Sequence, residues 1–293
     1  MAVTPVSGRS ALRSDKKPRS ERLSNDRSVE GRPRPLPWRG GRWLTGRPDE
    51  AARGRTFPLS RGPGRFHAVA MRPGPLLPVL LTRRLWFPDP RLADAEGLVA
   101  VGGDFSPARL LLAYRSGIFP WTDDPITWWS PDPRAVIELD GLHVPRSLAK
   151  VLRRDTFKVT VDRAFRQVME GCAEPAPGRE ASWVTPRFIA AYSRLHEQGH
   201  AHSVECWLGE RLVGGIYGVS VGGLFAGESM FHRVSNASKV ALVHLVHRLR
   251  AGGFELFDIQ MLTSVTRQLG GVELPRTQYL KRLAAAVALD RTF

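Results

Sequence analysis

AHSVECWLGERLVGGIYGVSVGGLFAGESMFHRVSNASKVALVHLVHRLRAGGFELFDIQ, residues 201–260, is the stretch that decides the fold. Segments rich in β-branched, aromatic and small residues come first, and an amphipathic segment with a helical period follows them. The pattern predicts three strands, one helix and a fourth strand, at 201–207, 211–221, 223–231, 236–250 and 254–260. This order indicates an α+β fold with a mixed sheet and flanking helices, and we expect the functional site within this stretch.

The overall composition is that of a globular protein. The chain has 293 residues, of which 42% are apolar, enough for one large or two modest domains. The only cysteines, Cys172 and Cys206, exclude a disulfide framework and a cysteine-built zinc site, and two free thiols suit a reducing cytoplasm. The apolar runs are much shorter than the ~20 residues that span a bilayer. We therefore expect a cytoplasmic protein without a membrane segment.

Residues 1–70 differ in composition from the rest. They hold +10 of the formal net charge of +15, together with eight prolines and eight glycines, and show no lasting apolar period. Such a segment cannot bury enough surface to offset its ordering entropy, so a disordered basic extension is predicted. Met71 lies where the globular pattern begins, which makes it a candidate initiator. The alternative is a basic arm that binds nucleic acid, although the arm lacks aromatic residues repeated among the basic ones.

An aromatic unit occupies residues 85–141. Ser106 is predicted to cap a helix that has Pro107 in its first turn and ends at Gly117. The segments FPW (119–121) and WWSPDPR (128–134) then bring three tryptophans close together in sequence. Two interpretations remain open: a rigid loop packed on the core, or the wall of an apolar or base-stacking pocket.

A cluster of cations follows Pro145, which can open a helix. The cationic residues recur at i, i+4, i+7 and i+8, and they are Arg146, Lys150, Arg153 and Arg154. This spacing places all four on one helical face, with no acidic residue until Asp155. A solvated surface is the ordinary explanation for such a face. Phosphate groups would relieve the repulsion between the four charges, so a polyanion-binding surface is the alternative.

The sequence gives little support for a metal site or for a covalent intermediate. His196, His200 and His202 are close together, but Gly199 ends the predicted helix before a pair of ligands at i, i+4 can form. There is no G-x-S-x-G elbow, no P-loop and no G-x-G-x-x-G after a strand, and neither cysteine has a base beside it. We expect no metal and no covalent intermediate. The pattern fits an enzyme whose substrate arrives already activated.

The meander, helix and strand resemble the core of the acyl-CoA N-acyltransferase fold. Members of that fold bind the pyrophosphate of their cofactor with a glycine-containing loop before the central helix. Here the same junction is HRVSNASKV (232–240), which has no glycine. Coenzyme A is therefore a poor candidate for the acyl donor.

A more specific resemblance runs through most of the globular region. Its motifs are GGDFSPARLLLAY (102–114), GIFPW (117–121), WWSPDPRAV (128–136), EGCA (170–173), WVTP (183–186), AYSRLHEQGHAHSVE (191–205), LVGGIYGV (212–219), GESMF (227–231), NASK (236–239) and FDIQ (257–260). Together they resemble the leucyl/phenylalanyl-tRNA–protein transferase family over roughly residues 86–285. Residues 1–70 lie outside the resemblance, which strengthens the case for Met71 as initiator.

This resemblance implies a reaction. The family moves Leu or Phe, and Met less well, from aminoacyl-tRNA to the N-terminal amine of proteins that begin with Arg or Lys, which marks them for proteolysis. Aminolysis of an ester requires no ATP, metal or coenzyme A, so no cofactor is expected, and the protein is expected to be a monomer. Two alternatives are kept: an aminoacyl-tRNA-dependent transferase acting on a peptidoglycan or small-molecule amine, and a non-catalytic tRNA-binding protein.

The resemblance also implies roles for individual residues. Gln260 would help to activate the attacking amine, Asp258 would orient or polarise it, and Glu228 would be an acid near the same cleft. Asp258 and Gln260 lie at i and i+2, so a regular strand would point both to one side. Residues that would contact the donor are Trp121, Trp183, Tyr114 and Tyr192 around the terminal adenosine, and Ile216, Leu242, Leu245 and Leu249 around the Leu or Phe side chain.

Two further implications concern the domains and the acceptor. The fold would consist of a small N-terminal domain at 71–141 and an acetyltransferase-like domain at 142–293, with the cationic helix of the latter holding the tRNA acceptor arm. For Leu242, Leu245 and Leu249, ordinary core packing is the alternative to a place around the Leu or Phe side chain. The chain departs from the family at Val265, where a His is expected. This departure concerns acceptor preference or rate.

Overall fold

The computed structural model describes residues 79–175 and 182–293. The predictions for residues 1–70, including their disorder and Met71 as initiator, lie outside the described residues. The described chain forms two β-sheets with seven α-helices around them, a mixed α/β architecture. None of these described helices is long and apolar enough to cross a membrane.

The smaller sheet has four strands. They are β1 (Val79–Leu81), β2 (Leu98–Gly102), β3 (Phe119–Asp123) and β4 (Ile126–Trp129), in the spatial order β1-β2-β4-β3. Helix α1 (Pro107–Arg115) lies between β2 and β3 in sequence and begins at Ser106, whose side chain accepts from the N–H of Arg109, as predicted. The tryptophan-rich segments, for which a rigid loop was one of two interpretations, form strands β3 and β4. Trp128 is fully buried and donates its indole N–H to the carbonyl of Gly102 at 2.8 Å, which ties β4 to β2.

The larger sheet has seven strands in the order β11-β5-β10-β9-β8-β7-β6. They are β5 (Arg134–Ile137), β6 (Lys158–Val161), β7 (Ala201–Leu208), β8 (Arg211–Val221), β9 (Leu224–His232), β10 (Leu256–Gln260) and β11 (Gly271–Leu274). Every neighbouring pair is antiparallel except β9 and β10, which are parallel. The strands predicted between 201 and 260 are confirmed.

Helices cover both faces of the larger sheet. They are α2 (Arg146–Arg153), α3 (Phe165–Ala173), α4 (Pro186–Glu197), α5 (Ala237–Ala251), α6 (Ser264–Gln268) and α7 (Arg276–Val287). Helix α5 packs on β7 and β8 over one hydrophobic core, and α3 and α4 pack over a second core on the opposite face. Helix α4 begins after Thr185, whose side chain accepts from the N–H of Phe188, and has Pro186 in its first turn.

The close approach of α5 to the sheet depends on Gly214 of β8. A Cβ atom at this position would lie 2.5 Å from the Cβ of Ala237, the first residue of α5. Only glycine leaves room for this contact, because real Cβ atoms do not approach so closely. The start of α5 is thereby held close against β8.

The chain passes from the smaller sheet into the larger sheet before residue 141. Strand β5 lies within the range predicted for the first domain, 71–141, yet it pairs with β10 and β11 in the larger sheet. A division into domains at 71–141 and 142–293 stays a prediction. Because of this pairing, residues that are distant in the sequence meet at β10, beside the site.

Candidate active site

The larger sheet opens between β9 and β10. Pairing of the two strands ends at Asp258 and Ala226, although β9 continues to His232. Strand β10 turns away here, because its pairing with β5 shifts register between Asp258 and Gln260, and Gln260 has a left-handed backbone with φ of +54°. A cavity of about 790 Å³ fills the opening.

Two different walls face each other across this cavity. Phe119, Trp121 and Trp183 form an aromatic wall, which packs against the core beneath α3 and α4. Ile216 and Leu242 belong to an apolar wall on the opposite core, beneath α5. The arrangement can hold a flat aromatic group on one side and a hydrophobic side chain on the other.

Glu228 and Gln260 stand between the two walls. The amide Nε2 of Gln260 donates to Oε1 of Glu228, and the hydroxyl of Tyr192 donates to Oε2, both at 3.3 Å. A second hydroxyl, that of Tyr114, is hydrogen-bonded to the hydroxyl of Tyr192. Burial raises the pKa of Tyr114 and of Tyr192 well above the ordinary value, so both hydroxyls stay protonated.

The proton affinity of Glu228 is unusually high. Burial raises the pKa of this carboxyl to about 8, and the nearby charge of Asp258 acts in the same direction. Hydrogen bonds from the two tyrosines and the charge of Arg134 offset only part of this effect. A carboxyl with such a pKa can take up and release a proton near neutral pH, which an ordinary surface glutamate does not do.

Asp258 lies behind the cavity wall, and both of its carboxylate oxygens accept hydrogen bonds. Its carboxylate accepts from Arg134 Nε at 2.9 Å and Nη2 at 2.6 Å, and from the Tyr279 hydroxyl at 2.9 Å. It also accepts from the backbone N–H of Gln260 at 2.9 Å. The expectation that Asp258 and Gln260 share one side is wrong, because the irregularity in β10 sends only Gln260 into the cavity.

Arg134 was not among the residues singled out in the sequence. Its side chain is 1% exposed, donates to the carbonyl of Gly117 at 3.1 Å, and lies between the rings of Phe119 and Tyr279. Burial acts to lower its pKa, but the charge of Asp258 outweighs this and raises the pKa of Arg134 above its ordinary range. The ion pair joins β5 to β10. The only sequence signal was an arginine that opens the apolar run RAVI (134–137).

Comparison with known proteins decides the family. Residues 136–284 match the family described as leucyl/phenylalanyl-tRNA protein transferase, and residues 103–132 match the N-terminal domain of that family. A leucyl/phenylalanyl-tRNA–protein transferase of Nitratidesulfovibrio vulgaris (strain DP4) is 55% identical over 197 residues, which cover 66% of this chain and 84% of that protein. The chain belongs to the leucyl/phenylalanyl-tRNA–protein transferase family.

Other relatives carry the same family name. The protein of Anaeromyxobacter dehalogenans (strain 2CP-C) is 52% identical over 210 residues, covering 71% of this chain and 90% of the relative. That of Shewanella sp. (strain W3-18-1) is 49% identical over 201 residues, which cover 67% of this chain and 85% of that relative. Among solved structures, L-PGS from Bacillus licheniformis aligns at 12% identity over 58% of this chain and 66% of that chain, with a TM-score of 0.34. So loose a superposition establishes no shared fold.

The transferase family resemblance predicted four residues around the terminal adenosine. Trp121 and Trp183 do line the cavity. Tyr114 and Tyr192 are only 1% and 0% exposed and do not line it. The two tyrosines, which the resemblance placed near the adenosine, are buried behind Glu228. They act on the cavity through that carboxyl.

The four residues predicted around the aminoacyl side chain also divide into two groups. Ile216 and Leu242 line the cavity. Leu245 and Leu249 are fully buried in the core beneath α5 and do not line it. For these two leucines, core packing is the better description. Val265 lies in the cavity wall, so the departure from the family at this position changes the wall itself.

The predicted cationic face lies on α2. Arg146, Lys150, Arg153 and Arg154 are all exposed, whereas Leu148 on the opposite side is buried in the core beneath α5. Within residues 79–175 and 182–293, none of the four cations forms a salt bridge. The helix therefore presents unpaired positive charge to solvent.

Two of the three histidines considered as metal ligands, His196 and His202, approach the carboxylate of Asp162, with Nδ1–oxygen distances of 4.0 and 2.8 Å. His196 Nδ1 also lies 2.8 Å from the carbonyl of Ala201. Among the residues that the structure describes, no group of three or more His, Cys, Asp or Glu side chains is arranged to hold a metal ion.

Proposed function

We propose that the protein transfers Leu or Phe, and Met less well, from aminoacyl-tRNA to the N-terminal amine of proteins that begin with Arg or Lys, marking them for proteolysis. The observation that carries this proposal is the cavity with Glu228 and Gln260 between an aromatic wall and an apolar wall. Membership of the family gives the reaction type, and the cavity provides a place for each part of the donor.

The donor fits between the two walls. The terminal adenine stacks against Trp121 and Trp183, and the Leu or Phe side chain enters the space beside Ile216 and Leu242. The ester that joins the two groups then lies between the walls, beside Glu228 and Gln260. An apolar pocket separates side chains that differ by one methylene by only ~1–3 kcal/mol, which suits a transferase that accepts both Leu and Phe.

The chemistry is the aminolysis of an ester. The acceptor amine attacks the ester carbonyl, a C–N bond forms, and the C–O bond to the terminal ribose breaks. Glu228 takes the proton that the amine loses and then gives a proton to the ribose oxygen as it leaves. The pKa of Glu228 near 8 matches that of an N-terminal amine, about 7.7–8.0, so this proton transfer is close to balanced.

Gln260 and Asp258 have positioning roles in this scheme. The Gln260 amide holds the Glu228 carboxyl by its hydrogen bond and faces the ester. Asp258 fixes Gln260 by accepting from its backbone N–H, and Arg134 fixes Asp258 in turn. The predicted role of Asp258 in orienting the reacting groups is thereby retained, with its action passing through Gln260.

Three broader features are part of the proposal. The larger sheet, with α5 beside its opening, is acetyltransferase-like and is preceded by a small N-terminal domain. The protein works as a cytoplasmic monomer, because one chain supplies both walls and both polar groups. No cofactor takes part, since the ester of aminoacyl-tRNA is already activated.

The transfer assay tests the function directly. Purified protein, Leu-tRNA labelled in the amino acid, and a peptide beginning with Arg are expected to give a peptide with one added leucine. A matched peptide with an acetylated N-terminus is the control and is expected to gain none. Transfer only to lipid-linked or free amines would instead indicate a peptidoglycan or small-molecule transferase, and tRNA binding without any transfer would indicate a non-catalytic protein.

Charge reversal on α2 tests where the tRNA binds. Changing Arg146, Lys150, Arg153 and Arg154 to Glu is expected to weaken tRNA binding and to lower its salt slope by about 0.7–0.9 for each phosphate that is no longer neutralised. Binding measured between about 50 and 200 mM salt reads out this slope. A control variant at an exposed cation of α7, Lys281→Glu, should keep the wild-type slope. An unchanged slope in the α2 variant would place the tRNA on another surface.

A further inference from the structure

In the part of the chain that the structure describes, the edge of β9 that faces the opening has no partner strand. Strand β9 pairs with β8 from Leu224 to His232, with a shift in register at Glu228. On its other side, pairing with β10 stops at Ala226. No strand of the described chain pairs with residues 228–232 on this side, and no backbone hydrogen bond outside the sheet ladders reaches them.

An unpaired strand edge is a binding surface for extended polypeptide. Alternate residues of a strand direct their N–H and C=O groups to one side, and these groups need water or another backbone as partner. Strand addition satisfies them with main-chain hydrogen bonds that do not depend on the side chains of the added peptide. Such an edge therefore suits a partner whose sequence varies after its first residue.

We propose that the acceptor polypeptide binds by adding a short parallel strand to residues 228–232 of β9. The inference rests on the proposed function and specifies how that site takes its second substrate. The added strand occupies the path that β10 leaves free when it turns away at Gln260.

The course of β9 fixes the direction of the added strand. Gly227 is buried at the inner end of the open edge, and His232 is exposed at the outer end, with both in the cavity lining. The acceptor amine has to reach Glu228, and the rest of a protein has to leave toward solvent. Its chain therefore runs from Glu228 to His232, in the same direction as β9. This is also the direction of β10, the strand that it continues.

The donor does not compete for this edge. Its adenosine and its side chain use the aromatic wall and the apolar wall, which lie on opposite faces of the sheet. The opening between the strands lies in the plane of the sheet, where a main chain fits. At about 3.3 Å per residue, three to four acceptor residues span the distance from Glu228 to His232.

A parallel strand makes an alternating pattern of contacts. Only every second residue of an added strand turns its N–H toward the neighbouring strand. Removal of successive N–H groups from the acceptor should therefore alternate between a loss of binding and no effect. Recognition of the acceptor through its side chains, or through its size alone, would produce no such alternation.

Acceptor peptides with single ester bonds in the main chain test this pattern. Each peptide begins with Arg and carries one ester in place of the amide N–H at residue 2, 3, 4 or 7, which removes the donor without adding bulk. We expect kcat/KM to fall roughly two- to tenfold at alternate positions among residues 2 to 4, with no change at residue 7. Arginine amide, which lacks a second residue, should still accept leucine with a higher KM.

The outcomes separate the inference from the function on which it rests. Equal kcat/KM for all the esters, or equal losses at successive positions, would overturn strand addition while leaving the transferase activity established. Absence of transfer to every peptide and to arginine amide would overturn the proposed function itself. Alternating losses confined to residues 2–4 would support the edge of β9 as the acceptor site.

Discussion

Replacement of Glu228 by Gln is expected to lower the rate of aminoacyl transfer by about 10²–10⁴-fold, the usual contribution of a positioned general base. The change keeps the shape of the side chain and removes its ability to take a proton. Binding of tRNA should stay within about twofold of wild type, because the charge that holds tRNA is assigned to α2 and Glu228 is itself uncharged in most molecules below pH 8. Single-turnover transfer and filter binding measure the two effects separately.

The same substitution is expected to increase stability at alkaline pH. The pKa of Glu228 is about 8 in the folded protein and near the ordinary 4.5 in the unfolded chain. Between these values the unfolded chain releases the proton while the folded protein keeps it, so the wild type loses stability as the pH rises from about 4.5 to 8. Gln at this position removes the loss, which is about 5 kcal/mol above pH 8, because each pKa unit corresponds to about 1.4 kcal/mol.

Urea unfolding of both proteins at pH 5 and pH 9 checks this prediction. The advantage of Glu228→Gln over the wild type should be larger at pH 9 than at pH 5. Glu210→Gln, which changes an exposed glutamate in the turn between β7 and β8, is the matched control and should alter neither stability nor rate. A Glu228→Gln protein with full activity would show that the proton leaves by another route.

The sequence predicted those parts of the fold whose signal is local. Residues 201–260 begin with segments rich in β-branched, aromatic and small residues, change to a helical period, and end in an apolar strand. The structure has these elements within two residues. The strands at 119–137 were missed because prolines lie within and between them, and proline locally disfavours strands. Their pairing with distant strands, as between β5 and β10, overrides that preference.

The sequence predicted which residues form the site better than it predicted how they are arranged. Glu228, Gln260, Trp121 and Trp183 do meet in one cavity. The i, i+2 rule failed for Asp258 because it assumes a regular strand, and no single-sequence signal announces the left-handed backbone at Gln260. The main partner of Asp258 lies 124 positions away in the sequence, beyond the reach of any local pattern.

The buried ion pair between Arg134 and Asp258 gives the second large effect. Arg134→Met would leave the carboxylate of Asp258 buried without its cation, and Asp258→Leu would leave the guanidinium of Arg134 buried without its anion. Each single substitution is expected to cost about 3–5 kcal/mol of stability, the usual result of breaking one side of a buried pair. The double variant removes both charges, and its cost should be well below the sum of the two single costs.

Activity should not follow stability in this series. The double variant regains most of its stability, yet the backbone N–H of Gln260 still lacks the carboxylate that fixed it. We therefore expect transfer by the folded double variant to remain at least about tenfold slower than the wild type, since small displacements of a positioned group cost that much or more. Urea unfolding of the four proteins, together with single-turnover transfer, measures both quantities. Additive stability costs would contradict a coupled ion pair. Wild-type transfer by the double variant would show that Asp258 has no part in placing Gln260, and would leave Glu228 as the group on which the reaction depends.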